Sequence, residues 1–359
     1  MSTHLSQSTG KLTGIFTPNM VPLDANGRVN EDELARYIDW LIRSGVHGLY
    51  PNGSSGEFPR FSAEERRLIT RTVCQVAKGR VPVLAGAAEA NARDSIKACE
   101  KYAEYGARAV AIISPIFYRL GQESLYAYFR EIAVNSPLDV TVYNIPMLSS
   151  PIEVKTVQRL SELQRITGLK DSSGDVANMC RLIQSIRPSR PDFSFLTGWE
   201  AVLIPMLCVG ADGGTNAASG IVPEVTRFLF DTFRKGDITS AMDVQFRLIE
   251  LFDTLLHGAD FPEGFRVGVE MRGFKMGSSR QPLSEKQTID RRELSRMVTC
   301  LISDFGVIER PATCPSGSDE ISNLIRKNLT PEPASGDMAE TIANEVVAYL
   351  KRNPGRITS

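Results

Sequence analysis

Strand-like and helix-like segments alternate along most of this chain, and that alternation limits the fold more than any other feature. Short apolar runs recur roughly every 20 to 35 residues, separated by segments with apolar residues at helical spacing. Eight runs are predicted as strands, at residues 14–18, 46–51, 81–86, 109–115, 139–145, 165–170, 193–198 and 213–218. Strands alternating with helices are typical of an α/β fold with a parallel sheet, and eight such units predict a (β/α)8 TIM barrel.

A doubly wound open sheet is the alternative arrangement. It is disfavoured because no Gly-x-Gly-x-x-Gly motif follows the first strand and because the number of units reaches eight. Local signals also support the helices. Ser62 followed three residues later by Glu65 predicts a capping box for a helix that ends near Ala77.

These patterns predict four parts in the chain. Residues 1–13 are a flexible N-terminus, residues 14–236 form the barrel, and residues 237–308 form a helical C-terminal extension without strands. Residues 309–359 form an appended tail, in which a linker precedes two short amphipathic helices. We expect these helices to pack on their own barrel or on a neighbouring subunit. The alternative hypothesis is that the tail docks to a partner or a larger assembly.

Composition excludes several classes of partner. The chain has 359 residues and a formal net charge of −1, which does not favour binding to nucleic acid or to an anionic membrane. It contains no apolar run of the roughly 20 residues that span a bilayer, and residues 1–11 lack the apolar region of a secretory signal. The six scattered cysteines are expected to be free thiols, and no metal site is expected. A cytoplasmic protein is therefore predicted.

In a parallel barrel, functional side chains collect at the carboxyl ends of the strands. The predicted ends carry one lysine, one tyrosine and several hydroxyl residues and glycines: Thr17, residues 53–56, Ser114, Tyr143, residues 170–172, Gly198, Thr215 and Ala217. None of the three histidines and no pair of carboxylates lies there. Serine–histidine–aspartate catalysis, metal-assisted hydrolysis and two-carboxylate glycoside hydrolysis therefore lack their residues.

The residues that remain suit imine chemistry. A lysine buried at a strand end loses its charge easily, and the neutral amine of Lys170 could attack the carbonyl of a 2-oxo acid. The phenol of Tyr143 could move the proton, while Ser54 and Ser55, between two glycines, could hold the substrate carboxylate. Each residue alone is more often structural. The hypothesis depends on their joint occurrence at the ends of separate strands.

At these positions the chain resembles the dihydrodipicolinate synthase and N-acetylneuraminate lyase family of class I aldolases and lyases. The matching segments are residues 48–57, 142–146, 168–175 and, less specifically, 210–214. The resemblance covers residues 14–308 and leaves the tail uncovered. It implies a small-molecule 2-oxo acid substrate, no metal or organic cofactor, and a homotetramer built as a dimer of dimers.

The same resemblance assigns roles to individual residues. It implies that Lys170 forms a Schiff base with pyruvate or another 2-oxo acid, and that Tyr143 and Ser55 act in catalysis. The residues expected to bind the substrate are Ser54, Ser172, Gly198, Glu200, Thr215 and Ala217. Tyr118 is a candidate for the proton relay, because its neighbour Phe117 stands where many relatives have a tyrosine.

Departures from the family pattern narrow the range of expected substrates. Leu148 stands where dihydrodipicolinate synthases have an arginine that holds the substrate carboxylate, and an apolar side chain cannot replace that clamp. Synthase activity is therefore not expected. Glu200 and Ala201 stand in place of an Asp–Glu pair of sialic acid lyases, and Ala217 in place of a serine, so contacts to a sugar chain also differ.

The predicted reaction is the cleavage of a 2-oxo-4-hydroxy acid to pyruvate and an aldehyde through a lysine Schiff base. The substrate is expected to be a 2-keto-3-deoxy sugar acid or a dicarboxylic acid. The alternative within the same chemistry is the dehydration of a 2-keto-3-deoxy sugar acid by the same imine. The alternative from another class is a non-catalytic sensor of 2-oxo acids, or cargo held in an assembly by its tail.

Overall fold

Eight parallel strands form a barrel in the computed structural model, which describes residues 10–284 and 289–314. The strands are β1 (Gly14–Thr17), β2 (Gly48–Leu49), β3 (Leu84–Gly86), β4 (Ala109–Ile113), β5 (Asp139–Asn144), β6 (Ile166–Asp171), β7 (Ser194–Thr197) and β8 (Gly213–Gly214). Their order in the sheet is β2-β1-β8-β7-β6-β5-β4-β3. A single parallel bridge between Leu49 and Val83 joins the two outer strands and closes the barrel. The predicted (β/α)8 barrel is confirmed.

A helix follows each strand. In chain order these are α1 (Glu31–Arg43), α2 (Ala63–Ala77), α3 (Ala92–Glu104), α4 (Gln122–Asn135), α5 (Val154–Ser161), α6 (Val176–Ile186), α7 (Leu203–Cys208) and α8 (Pro223–Arg234). Within the described residues, three further helices come after the barrel, α9 (Ile238–His257), α10 (Glu263–Glu270) and α11 (Arg291–Asp304). Short 3-10 helices span Phe58–Arg60, Glu200–Val202 and Ala217–Gly220. The extra C-terminal helices predicted after the barrel are therefore present.

Several strands are shorter than the apolar runs that predict them. The run at residues 46–51 yields only the two residues of β2, although Val46 and Tyr50 outside the strand are also buried. Strands of a parallel barrel are covered on both faces, so apolar character follows burial, and burial continues beyond the last paired residue. Composition therefore locates each strand more accurately than it locates the strand's ends.

The helix boundary predicted from the capping box is confirmed. Helix α2 begins after Ser62, whose side chain accepts a hydrogen bond from the backbone N–H of Glu65, while the Glu65 carboxylate accepts from the N–H of Ser62. The two residues thus satisfy two backbone donors that a helix start leaves unpaired. The helix ends at Ala77, as its sequence predicts.

Alternate side chains of the strands point to opposite faces of the sheet. Between the sheet and the helices lies the main apolar core, which includes Val142 of β5 and Leu169 of β6. Inside the barrel, a smaller cluster contains Phe16, Tyr50 and Leu196. Because Tyr143 and Lys170 alternate with Val142 and Leu169, their side chains face the barrel interior.

The ends of the chain lie partly outside the described residues, including residues 1–9 and the two helices predicted in the tail. Within the predicted N-terminal segment, Leu12 is buried and its N–H donates to Ser194 Oγ at 2.8 Å. No helix in residues 10–284 and 289–314 is long and apolar enough to cross a membrane.

The expectation that all six cysteines are free thiols is wrong for two of them. Cys300 and Cys314 are disulfide-bonded. The other four, Cys74, Cys99, Cys180 and Cys208, are free. Neither Cys300 nor Cys314 belongs to a spacing motif, so no local sequence signal predicts its oxidised state.

Candidate active site

Lys170 lies near the end of β6 and is 4% exposed, with its side chain inside the barrel. Its Nζ atom is 3.9 Å from the centre of the Tyr143 ring and 4.4 Å from the centre of the Tyr50 ring. Burial lowers the pKa of the Lys170 ammonium well below its ordinary 10.5, because water no longer solvates the charge. The ring faces attract a cation, but that attraction is too weak to offset the loss of solvation. Lys170 can therefore exist as a neutral amine at a pH well below 10.5.

The residues after Lys170 fix the end of its strand. The Asp171 carboxylate is fully buried and accepts hydrogen bonds from the backbone N–H of Ser173 at 2.7 Å and from Asn144 Nδ2 at 3.4 Å. Gly174 follows with a φ of 76°, which favours glycine, and Asp175 then caps helix α6 through its side chain. The sequence of this segment thus fits a strand, a tight turn and a helix start in immediate succession.

Tyr143 is the neighbour of Lys170 in the sheet, since the two residues are register partners in β5 and β6. Its phenol oxygen shares a hydrogen bond of 3.3 Å with Ser54 Oγ, and Ser172 Oγ donates to it at 3.5 Å. Burial raises the pKa of Tyr143 above 10.0, and the two serine hydroxyls partly offset that rise. The phenol is therefore protonated at neutral pH and connected to two hydroxyl groups. This arrangement can pass a proton.

Tyr50 is a site residue that the sequence interpretation did not single out. It is buried beside the end of β2, and its ring forms the second aromatic wall around the Lys170 amine. Burial raises the pKa of its phenol well above 10.0. A signal was present in the predicted second strand, where alternation places Tyr50 on the same face as Gly48, inside the barrel.

Gly198 lies directly against the side chain of Lys170. A β-carbon at this position would lie 2.0 Å from Ser172 Oγ and 2.8 Å from Lys170 Cε, so any larger residue would displace both side chains.

Two further predicted binding residues follow β8. Thr215 is buried and its hydroxyl has no hydrogen-bond partner among the described residues, while Ala217 is partly buried.

The turn that carries Ser54 and Ser55 is held by a buried ion pair. Ser55 is buried and Ser54 partly so, and Glu57 closes the turn with a φ of 57°. The Glu57 carboxylate pairs with Arg266 of α10 at 3.0 Å and also with Arg60. Neither Glu57 nor Arg266 was predicted from the sequence. The pair joins the turn to a helix that follows the barrel.

Arg266 is 1% exposed, and its guanidinium also donates to the backbone carbonyls of Val21, Met276 and Gly277. A buried guanidinium with this many acceptors is well compensated for its loss of water. Arg266 therefore links Glu57, at the end of the turn, to the backbone at Val21 and Met276.

Glu200 was predicted to bind substrate, but its carboxylate is engaged by backbone. Both carboxylate oxygens accept from the N–H of Ala218, at 3.2 and 3.1 Å, in the 3-10 helix Ala217–Gly220. Burial raises the pKa of Glu200 from 4.5 to about 7, and the backbone donors oppose the rise. In this arrangement the side chain stabilises the segment after β8.

Tyr118, the candidate for the proton relay, is 74% exposed and stacks edge-on against Phe117. Phe117 itself is 92% exposed and has a φ of 78°, a strained conformation for a non-glycine residue. Within the described part of the chain, the hydrogen-bond partners of the Tyr143 hydroxyl are Ser54 and Ser172. The structure therefore does not bring Tyr118 to Tyr143.

A cavity of about 250 Å³ opens beside Ser54. Its walls are formed by Ser54, Glu57, Phe58, Pro59, Arg60, Ile113, Ile116, Leu148, Phe261 and Pro262. Leu148 is half exposed at the rim. In residues 10–284 and 289–314, no three His, Cys, Asp or Glu side chains converge to hold a metal ion.

The chain is similar to known proteins over most of its length. The model of the Dihydrodipicolinate synthetase family matches residues 11–301. A 4-hydroxy-tetrahydrodipicolinate synthase of Bacillus velezensis is 29% identical over 286 residues, which cover 79% of this chain and 98% of that protein. A putative 2-dehydro-3-deoxy-D-gluconate aldolase of Escherichia coli, YagE, is 32% identical over 243 residues, covering 67% of this chain and 80% of the relative.

Solved structures agree with these matches. The crystal structure of Escherichia coli YagE in complex with pyruvate superposes with a TM-score of 0.75 at 28% identity, covering 81% of this chain and 99% of that one. The structure of dihydrodipicolinate synthase DapA-2 from Bacillus anthracis gives a TM-score of 0.75 at 31% identity, covering 81% and 98%.

Proposed function

This chain belongs to the dihydrodipicolinate synthetase family of lyases and aldolases, and we propose that it cleaves a 2-oxo-4-hydroxy acid to pyruvate and an aldehyde through a Schiff base on Lys170. The observation that carries this proposal is the buried Lys170 amine with the Tyr143 ring at 3.9 Å. An amine with a lowered pKa is a nucleophile at neutral pH, and a phenol beside it can transfer the protons that imine chemistry requires.

In the first step, the lone pair of the neutral Lys170 amine attacks C2 of the substrate. The C2 oxygen leaves as water after it receives two protons, and an iminium ion remains on the lysine. Tyr143, with Ser54 and Ser172 as hydrogen-bond partners, is the group proposed to deliver and receive these protons. The iminium then attracts electrons from the C3–C4 bond.

Cleavage follows when a base removes the proton of the C4 hydroxyl. The electrons of the broken O–H bond form the second bond of the aldehyde carbonyl. The electrons of the C3–C4 bond form the C2=C3 double bond, and the C=N electrons return to nitrogen, which gives a neutral enamine. Protonation at C3 restores the iminium. Water then adds at C2, releases pyruvate and regenerates the Lys170 amine. Tyr143 is proposed as the acid and base in these transfers. Ser55, which follows Ser54 in the turn, is proposed as a further catalytic residue.

The carboxylate of the 2-oxo acid requires hydrogen-bond donors near C2. We assign this role to the turn that carries Ser54 and Ser55, whose backbone is held by the Glu57–Arg266 pair. Ser172, Gly198, Thr215 and Ala217 are proposed to surround the carbon atoms of the substrate next to the imine. The unpartnered hydroxyl of Thr215 supports its assignment, because a buried hydroxyl costs free energy until something binds it.

Condensation to dihydrodipicolinate precursors is not proposed. Leu148 occupies the position of the arginine that binds the substrate carboxylate in dihydrodipicolinate synthases. Its side chain is half exposed and uncharged, so it cannot bind a carboxylate in this way. The proposed assembly is a homotetramer. Phe117 and Tyr118, two adjacent exposed aromatic side chains that do not line the cavity beside Ser54, support burial against another subunit.

The test is reductive trapping with pyruvate and borohydride, followed by peptide mapping. We expect one adduct, on Lys170, and none in a Lys170→Ala variant, which should also lose turnover. An adduct elsewhere, or turnover by Lys170→Ala, contradicts the Schiff-base proposal. Product analysis then separates cleavage from dehydration, in which a C3 proton and the C4 hydroxyl leave as water. Pyruvate release supports cleavage, and a dioxo acid or semialdehyde product supports dehydration.

A further inference from the structure

We infer that the aldehyde half of the substrate is apolar, aliphatic or aromatic, and that the cavity beside Ser54 holds it. The inference rests on the proposed cleavage reaction and names its substrate class. It depends on where C4 of the substrate must lie and on which groups line the space next to that position.

The position of C4 follows from proton transfer. The base that takes the C4 hydroxyl proton has to be within hydrogen-bond reach of that oxygen, and Tyr143 is the proposed base. The Tyr143 hydroxyl is 3.3 Å from Ser54 Oγ, and the Tyr143 ring packs in one cluster with Ile113. Ser54 and Ile113 both line the cavity. The substituent on C4 therefore has direct access to it.

The walls of this cavity are mainly apolar. Phe58 and Ile113 form its inner part and are buried. Ile116, Leu148 and Phe261 complete it and are 44%, 53% and 36% exposed, so their apolar surface is available for contact. An apolar substituent that enters this space leaves water and gains free energy in proportion to the area buried.

The polar groups of the cavity already have partners. Ser54 is hydrogen-bonded to Tyr143, and the Glu57 carboxylate is paired with both Arg266 and Arg60. The charge of Arg60 is thus compensated by Glu57 at the wall itself. A polyhydroxylated chain needs a partner for each hydroxyl that leaves water, and these walls offer few. The cavity therefore discriminates against sugar chains.

The experiment compares four synthetic substrates by their release of pyruvate. Two carry apolar aldehyde halves, 4-hydroxy-2-oxo-4-phenylbutanoate and 4-hydroxy-2-oxohexanoate. Two carry polar ones, 2-dehydro-3-deoxy-D-gluconate and 4-hydroxy-2-oxoglutarate. We expect kcat/KM for the better apolar substrate to exceed that for either polar one by about tenfold or more, the range that apolar pocket contacts provide.

Variants assign the preference to the cavity. Leu148→Asn replaces an apolar wall residue with a polar one of similar size and should lower the apolar-to-polar ratio of kcat/KM about tenfold. Met147→Asn is the matched control, because Met147 is adjacent and 63% exposed but does not line the cavity. It should leave the ratio unchanged.

The outcomes distinguish this inference from the proposed function. A preference for either polar substrate, with Lys170 still trapped by pyruvate, overturns the apolar assignment and leaves the Schiff-base reaction intact. An unchanged ratio in Leu148→Asn overturns the assignment to this cavity. If pyruvate traps no adduct on Lys170, the reaction itself is wrong, and the substrate class fails with it.

Discussion

The amine nitrogen of Lys170 lies 3.9 Å from the centre of the Tyr143 ring, and the two residues are register partners in adjacent strands. The ring of Tyr50 lies 4.4 Å from the same nitrogen on the β2 side. Among the ion pairs of residues 10–284 and 289–314, none involves Lys170. The amine is thus enclosed by aromatic surface without a carboxylate to hold its proton, which favours the neutral, reactive form.

The first prediction concerns pH. Because burial lowers the pKa of Lys170, the rate of imine formation with pyruvate should rise with pH along a titration whose midpoint lies well below 10.5. Reductive trapping over a pH series, quenched at early times and quantified by mass spectrometry, measures this midpoint. Lys97 lies exposed on α3 and serves as the internal control. A midpoint near 10.5 for Lys170 would contradict the effect of burial.

The second prediction concerns stability. At neutral pH the lysine of the unfolded chain is protonated, whereas burial disfavours that proton in the folded state, so Lys170→Met should raise the free energy of unfolding there. The unfolded chain binds more protons than the folded one between the lowered pKa and 10.5, so wild-type stability rises through that window. The gain from Lys170→Met should therefore shrink as pH approaches 10.5. Urea unfolding of both proteins at several pH values measures the difference. A variant less stable than wild type at pH 7 would refute it.

The third prediction concerns proton transfer. Tyr143→Phe keeps the ring beside Lys170 but removes the hydroxyl that contacts Ser54 and Ser172. We expect turnover to fall by about 10²–10⁴-fold, the usual contribution of a positioned acid–base group, while trapping with pyruvate still yields some adduct. Tyr126→Phe is the control, since Tyr126 lies on α4 against Arg159. Full turnover by Tyr143→Phe would remove Tyr143 from the mechanism.

The fourth prediction concerns Gly198. Because a β-carbon there would overlap Ser172 and crowd Lys170, Gly198→Ala should reduce the rate of imine formation by about 10²-fold through misplacement of the amine. Gly121→Ala is the matched control, as no atom lies within 4 Å of its added β-carbon. Single-turnover trapping with pyruvate compares the two. Equal rates in both variants would show that the barrel adjusts around residue 198.

The fifth prediction concerns the ion pair beneath the turn. Arg266→Met removes the buried partner of the Glu57 carboxylate, leaves it paired with Arg60 alone, and should cost about 3–5 kcal/mol in free energy of unfolding. The double variant Glu57→Gln, Arg266→Met should recover part of the loss. Arg43→Met, which breaks an exposed pair with Asp39, should leave stability nearly unchanged. Denaturant unfolding measures all three. Equal losses in the single and double variants would argue against an unpaired charge as the cause.

The barrel and the position of Lys170 in it could be predicted from the sequence because both depend on short-range patterns. Alternating strand and helix periods place the carboxyl ends of the strands on one edge, so Lys170 and Tyr143 could be assigned to that edge without coordinates. The capping box of Ser62 and Glu65 is equally local, and it is confirmed. Strand ends were harder to place, because apolar residues continue past the last paired residue of β2.

Contacts between distant parts of the chain could not be predicted. Glu57 and Arg266 are 209 residues apart. The residues next to each of them in sequence do not indicate a buried ion pair. Glu200 illustrates the converse, since alignment with the family suggested a substrate contact while the fold directs its carboxylate to the N–H of Ala218. Tyr118 was placed by its neighbourhood in sequence, yet its side chain lies on the surface.

The Glu57–Arg266 pair also has a consequence for synthesis on the ribosome. The turn with both serines is translated early together with Arg60, but the second guanidinium that pairs with Glu57 follows 209 residues later. Until α10 emerges, a growing chain therefore has only the local pair of Glu57 with Arg60 at this turn. The barrel strands can pair before that moment, but the turn gains its support only afterwards. The long-range anchor of the turn is thus acquired late in translation, and a nascent chain that stops before Arg266 has the turn without its buried link to α10.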